Sequence, residues 1–344
     1  MEERPHDVHR PETHGDPQNV NPPPYQPICS PPRSNDLLPN RSSDPSIPGD
    51  PPTNTAPLLT KFSYLNIRGL IPQTVPSKVP YINDELDSTS ATVIALTETW
   101  LNQSHLEAEL CVEGYSIFRK DRTRKKAKSG RSSGGVAVYV RDDHALTAES
   151  PFSFSNGVIE SLGILLPSLN LVLITTYRSP DVNIQNKDGR VNHRSTQKQF
   201  RDYLAQLRKF LVSLPSPTPD IVMMGDFNLP HADWITGQCR SGATTDEKEM
   251  VSALYNLAID HFLIQQYDCP THRAGNTIDL LFSNSSNIIH SIEACPSSVS
   301  DHYLMTTSTM YNIPQSINEE PDTNPDEECK SFRSLNFFNE TINW

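Results

Sequence analysis

The chain has 344 residues, enough for one large domain or two small ones, and its six cysteines are scattered with no CxxC pair, which excludes a zinc-ribbon or disulfide-framework reading. Of the net charge of −12, the segment to Thr60 carries −4 and the segment from Asn312 carries −5, so the acidic balance of the middle is slight and nucleic acid is not excluded as a partner. No apolar h-region opens the chain and no run approaches the roughly 18 apolar residues of a membrane span, so the expectation is an intracellular protein with no membrane partner and no established targeting signal.

Half of the 30 prolines precede Lys61, among Asn, Ser and Asp. That composition cannot bury enough apolar surface to offset ordering entropy, and residues 1–58 read as a disordered tail. From Lys61 the pattern alternates to Ile67 and stops at Arg68-Gly69-Leu70, a strand that delivers Asn66 at its end. Val79 to Leu86 suits a short helix, with Pro80 expected to delay its start. Thr92 to Trp100 is a buried-type strand ending at Glu98. Ser116 to Phe118 and Gly135 to Val140 are strands flanking a basic run that includes Arg119, Lys120, Arg122, Lys125, Lys126 and Lys128. A solvated loop and a nucleic-acid contact both fit that run.

Gly157 to Leu166 and Leu169 to Tyr177 follow as strands. Arg194 to Leu214 has its apolar residues at helical spacing, from Phe200 through Tyr203, Leu204, Leu207, Phe210 and Leu211 to Leu214, so that face is core. The run from Ile221 to Met224 is another strand, with Gly225 read as a sharp turn and Asp226 and Asn228 emerging beyond it. Thr244 and Glu247 form a capping-box pattern for a helix through Leu257. Phe262 to Gln266, Thr277 to Ser283 and Ile288 to Glu293 read as strands, and Ser300-Asp301-His302 precedes a last one. A polar, acidic segment from Pro314 to Lys330 reads as a linker.

Strands outnumber helices and the helices do not alternate with them. The expected architecture is α/β in the α+β sense, two packed and mostly antiparallel sheets with helices outside in four layers. Asn66, Glu98, Tyr177, Asp226 and Asn228 all fall at carboxyl ends of these strands, which points to one polar rim. A carboxylate and an amide two residues apart can hold a water and direct it at phosphorus; the same Gly-Asp-X-Asn is also a common turn.

Six elements in order resemble the endonuclease/exonuclease/phosphatase superfamily, and in it the apurinic-endonuclease-like domain of non-LTR retrotransposons. They are Leu65 to Leu70, Leu96 to Leu101, Tyr177 to Pro180, Gly225 to Asn228, Pro270-Thr271 through Thr277 to Leu280, and Ser300 to His302. Thr97 to Leu101, Arg119 to Arg122 before Gly134 to Val140, and Asp279 to Phe282 look like the retroelement branch. The resemblance implies a domain over 59–311, followed over 312–344 by an acidic linker and the start of a connector toward a reverse transcriptase. It implies Mg2+, with Mn2+ as a substitute, held by Glu98 with Asn66 and Asp301.

Asp226 would then activate water, with Asn228 beside it, Asp279 would orient His302, and His302 with Tyr177 would steady the phosphate oxygens. Duplex DNA would be contacted by Arg119, Arg122, Lys125, Lys126, Arg178 and Thr271. Arg68 departs from relatives that carry a small polar or acidic residue there. The implied activity is nicking of target DNA to leave a 3′-hydroxyl primer, acting in the nucleus and tethered to a polymerase. Alternatives are a silent DNA-binding module on the same fold, a repair-type abasic endonuclease, or another phosphoester hydrolase.

Overall fold

A computed structural model describes residues 59–72, 75–122, 134–145, 147–180, 193–285 and 288–312. The Pro-rich tail, Lys125, Lys126, Lys128 and the connector beyond 312 lie outside the described residues. In chain order the elements are β1 (Leu59–Asn66), α1 (Val79–Thr89), β2 (Val93–Thr97), β3 (Tyr115–Lys120), β4 (Val136–Arg141), α2 (Asp142–Ala145), β5 (Glu149–Ser155), β6 (Ile159–Leu166), β7 (Leu171–Arg178), α3 (His193–Ser213), β8 (Asp220–Asp226), β9 (Ala232–Asp233), β10 (Gln238–Cys239), α4 (Thr245–Asp260), β11 (Ile264–Gln265), β12 (Asp279–Ser283), β13 (Ile289–Pro296) and β14 (Tyr303–Asn312).

Two six-stranded sheets result, ordered β13-β14-β1-β2-β4-β3 and β11-β12-β8-β7-β6-β5, with β9 and β10 as a separate small ribbon. Pairing is antiparallel except for β1 with β2 and β7 with β8. The period of two in each strand separates the layers. Val93 and Ala95 of β2 and Val222 and Met224 of β8 meet between the sheets. Ile94 and Leu96 turn outward to α1, and Ile221 and Met223 turn outward to α3 and α4. The expected four-layer sandwich is therefore the observed one.

The face of α3 from Phe200 to Leu211 is buried as its spacing required, and Phe152 stacks on Phe210 with centroids 5.0 Å apart. Pro80 occupies the first turn of α1 rather than delaying it, because a first-turn residue has no intrahelical N–H bond to lose. Thr244 accepts from the Glu247 N–H at 3.1 Å, but the Glu247 carboxylate turns to the His231 N–H and ring instead of closing the capping box. Gly225 is not a turn. It lies inside β8, paired between Thr176 and Leu280, and a Cβ there would sit 1.9 Å from the Thr176 carbonyl oxygen.

Strand register sets which residues share an end of the sandwich. Asn66 pairs with Thr97 at the ends of the parallel β1 and β2; Asp226 lies between Tyr177 on β7 and Asp279 on β12. Parallel neighbours end on the same side, so both sheets deliver polar residues to one rim.

Candidate active site

Asp226 is the centre of that rim. Its side chain is 1% exposed; Oδ1 accepts from the Asn228 N–H at 2.9 Å and Oδ2 from Asn66 Nδ2 at 2.8 Å. Asn66 Nδ2 also lies 3.4 Å from Glu98 Oε1, so one amide bridges two carboxylates. Glu98 Oε1 accepts from the Tyr177 hydroxyl at 2.8 Å and Oε2 from the Trp100 indole at 3.2 Å. On the far side His302 Nε2 stands 3.9 Å from Asp226, while Nδ1 is 2.8 Å from Asp279 Oδ2. The Tyr64 hydroxyl donates to Asp279 Oδ1 at 2.8 Å, completing a buried orienting chain.

Burial comes first in pushing the Asp226 carboxyl well above the usual carboxylate range, and the charges of Asp279 and Glu98 add to it against His302 and Asn66. For His302 burial works toward a lower pKa, but Asp279, by charge and hydrogen bond, with Asp226 and Asp301, outweighs it and raises it to about 9. The imidazole is thus a cation at neutral pH, donating at both nitrogens. Burial and then the Glu98 and Asp226 charges push the Tyr177 hydroxyl far up, so it is a neutral donor.

Backbone strain gathers at the same place. Among the described residues seven non-glycines have positive φ, and four of them, Arg68, Glu98, Trp100 and Asn228, line this rim. Such conformations cost on the order of 1–3 kcal/mol each and persist where the surroundings over-determine them. The surroundings are visible: the Gly69 and Leu70 N–H groups bond the Glu98 and Thr99 carbonyls at 2.7 and 2.9 Å. Lys78 Nζ holds the carbonyls of Ile67, Arg68 and Val299 at 2.6, 3.1 and 2.8 Å.

The residues expected from the sequence fall into two groups. Glu98, Asn66, Tyr177, Asp226, Asn228, Asp279 and His302 are brought together. Asn66 presents its N–H end to the carboxylates and its oxygen to the Arg68 N–H at 3.2 Å, so a ligand role requires the amide turned end for end. One Asn228 N–H is committed to the Arg178 carbonyl at 2.7 Å. Asp301, expected as a metal ligand, is paired with Arg68 and lies 3.2 Å from His272 Nε2.

Three residues expected to contact DNA are interior. Arg178 is 1% exposed and donates to the carbonyls of Phe227 and Asn228, both at 2.7 Å, holding the loop after Asp226. Thr271 is fully buried, its hydroxyl accepting from the Ile278 and Asp279 N–H groups. Arg122 forms a two-pronged pair with the buried Glu160 at 2.8 and 2.7 Å and donates to Ser179. Arg119 is half-buried beside Asp121 at 3.6 Å. Trp100 lies in the Thr97 to Leu101 motif and His272 follows Thr271, and the rim uses both although the sequence assigns neither a role; Tyr64 and Lys78 reach the rim from positions that no local pattern marks.

The donor set suits a hard divalent ion. Asp226 and Asp279 face one cationic imidazole and Glu98 is joined to Asp226 through the Asn66 amide, so an added positive charge would offset the burial and like charges that raise the Asp226 carboxyl. Two trios, Asp226 with Asp279 and His302, and His272 with Asp301 and His302, have ligand-type atoms within 4.8 Å of one another.

The chain belongs to the endonuclease/exonuclease/phosphatase family, whose model matches residues 63–302 and whose members are generally hydrolytic nucleases or phosphatases that typically use divalent metals. Among solved structures, the 3′ phosphatase NExo from Neisseria bound to product DNA hairpin is 15% identical, with 73% of this chain and 100% of that chain covered and a TM-score of 0.51. The 3′-5′ exonuclease NExo from Neisseria meningitidis is 14% identical over 73% and 100%, also at 0.51. The endonuclease domain of TRAS1, a telomere-specific non-LTR retrotransposon, is 16% identical over 74% and 100%, at 0.45. The two likenesses at 0.51 show the fold. No curated protein sequence matches the chain. Among the described residues no helix is long and apolar enough to cross a membrane.

Proposed function

We propose that the chain is a divalent-metal-dependent DNA endonuclease of a non-LTR retrotransposon, nicking target DNA to leave a 3′-hydroxyl that primes reverse transcription. The observation that carries the hydrolytic part is the pairing of a buried, high-pKa Asp226 with a cationic His302 across 3.9 Å. A base and a cation with opposed demands thus stand side by side at the rim, the combination that attack of water on a phosphate requires. The retroelement assignment rests on the resemblance of Thr97 to Leu101 and Asp279 to Phe282, and so do duplex DNA as substrate, a tethered reverse transcriptase and a nuclear site of action.

Asp226 orients a water and takes its proton as the water oxygen attacks phosphorus; the P–O3′ bond breaks and the departing oxygen takes a proton from solvent. The raised pKa of Asp226 makes it a better base than an exposed carboxylate. The imidazolium of His302, oriented by Asp279, donates to a non-bridging oxygen, the second Asn228 N–H supplies a further contact, and Tyr177, whose one proton goes to Glu98, reaches the phosphate only by releasing that carboxylate to the metal. Glu98, with Asn66 once its amide is reversed, would hold Mg2+ or Mn2+, which neutralises charge developing on the phosphate when bound. Incubation with supercoiled plasmid tests the reading. Nicked circles are expected with Mg2+ and not with chelator; intact plasmid under both conditions would refute it.

A further inference from the structure

We propose that the Arg68 guanidinium takes the place of a second divalent ion at Asp301, so that the site works with one metal ion and one built-in cation. This rests on the metal-dependent reading above. Arg68 follows Asn66 by two residues, and its backbone is fixed at φ 47° by the Lys78 ammonium on the carbonyls of Ile67 and Arg68. The same ammonium holds Val299 at 2.8 Å, which sews this loop to the one carrying Asp301. From there the Arg68 Nη1 pairs with Asp301 Oδ2.

The same oxygen faces His272 Nε2 at 3.2 Å. Because His272 Nδ1 accepts from the Ala274 N–H at 3.0 Å, the ring proton must sit on Nε2, and His272 is a donor to Asp301 rather than a metal ligand. Oδ2 is therefore engaged by two donors. Oδ1 is buried without a hydrogen-bond partner, and it is the one acceptor through which Asp301 could still bind an ion. An ion there would lie beside a guanidinium on the same carboxylate, like charge against like charge. Although burial opposes it, the Arg68 charge and the His272 hydrogen bond hold Asp301 below the usual carboxylate range. Its charge is already matched. The Arg68 side chain is 51% exposed, and its remaining N–H groups are available to a phosphate oxygen, the task a second ion would have.

Manganese binding to the full chain without DNA, counted by electron paramagnetic resonance, separates the possibilities. One Mn2+ per chain is expected, lost in Glu98→Gln and kept in Asp301→Asn. Arg68→Ala should gain a second, weaker Mn2+, and Arg68→Ala with Asp301→Asn should lose it again, while Arg68→Lys should stay at one. Two ions on the parent chain with one lost in Asp301→Asn, or a single ion on a folded Arg68→Ala, would overturn the proposal. No Mn2+ on the parent chain, or binding indifferent to Glu98→Gln, would instead sink the metal-dependent reading and this inference with it.

Discussion

Glu98 carries its carboxylate on a backbone at φ 52°, hydrogen-bonded by Tyr177 and Trp100. Glu98→Gln keeps that shape and removes the charge that faces a cation. Mg2+ affinity should fall by at least the roughly 10–100-fold that losing an outer partner costs, with the circular dichroism of the folded chain unchanged; an unaltered Mg2+ titration would remove Glu98 from the metal site. The pH dependence of stability has a definite sign. His302 is raised to about 9 from 6.5, so in the metal-free protein its contribution is complete below pH 6.5 and is lost as the pH rises through about 9, on the order of 3 kcal/mol at most. Asp226, also raised, acts the same way: the fold favours its protonated form, so stability falls as pH climbs above about 4 toward its folded pKa. Urea unfolding in chelator at pH 6 and pH 9.5 should show the loss, and His302→Gln should flatten it. Equal slopes would contradict the Asp279–His302 pairing. Asp226 and Glu98 were legible in the sequence because each ends an apolar strand. Tyr64 was not, since an inward aromatic on a strand looks like core until its hydroxyl is seen to reach Asp279.

Gly225 shows how an element can be read correctly for the wrong reason. The strand was expected, but its glycine serves the close approach of β7 to β8 rather than a turn. Gly225→Ala must push apart the parallel pair that aligns Tyr177 with Asp226, and a cost above about 3 kcal/mol is expected from such central overpacking. Denaturant melts check this; a change under about 1 kcal/mol would contradict it. The helical spacing of α3, the alternation of β1 and the apolar runs of β2 and β8 were legible because α3 buries one full face and β2 and β8 are buried on both. The edge strand β5 was missed because Pro151 and three serines break the apolar pattern, and the pairing with β6 shifts register between Glu149 and Phe152. The strand expected over Phe262 to Gln266 shrank to Ile264–Gln265, with Phe262 exposed.

At the scale of the whole molecule, and among the described residues, two arginines expected at a DNA surface are interior instead. Arg122 and Arg178 act inside, clamping β6 and the Asp226 loop, and only the geometry reveals it, since a buried arginine and an exposed one look alike in a sequence. Arg122→Ala should therefore cost about 3–5 kcal/mol by leaving the Glu160 charge unpaired, with the salt dependence of DNA binding by the folded fraction unchanged. A stable variant with a shallower salt slope would return Arg122 to the DNA interface. The account stands most directly on the ends the protein makes. A duplex labelled on one strand, cut under single-turnover conditions with Mg2+, should give single-strand nicks whose 3′ termini a polymerase extends without further treatment, and Asp226→Asn should make none. Termini that cannot be extended, cleavage confined to abasic sites, or full activity in Asp226→Asn would contradict it.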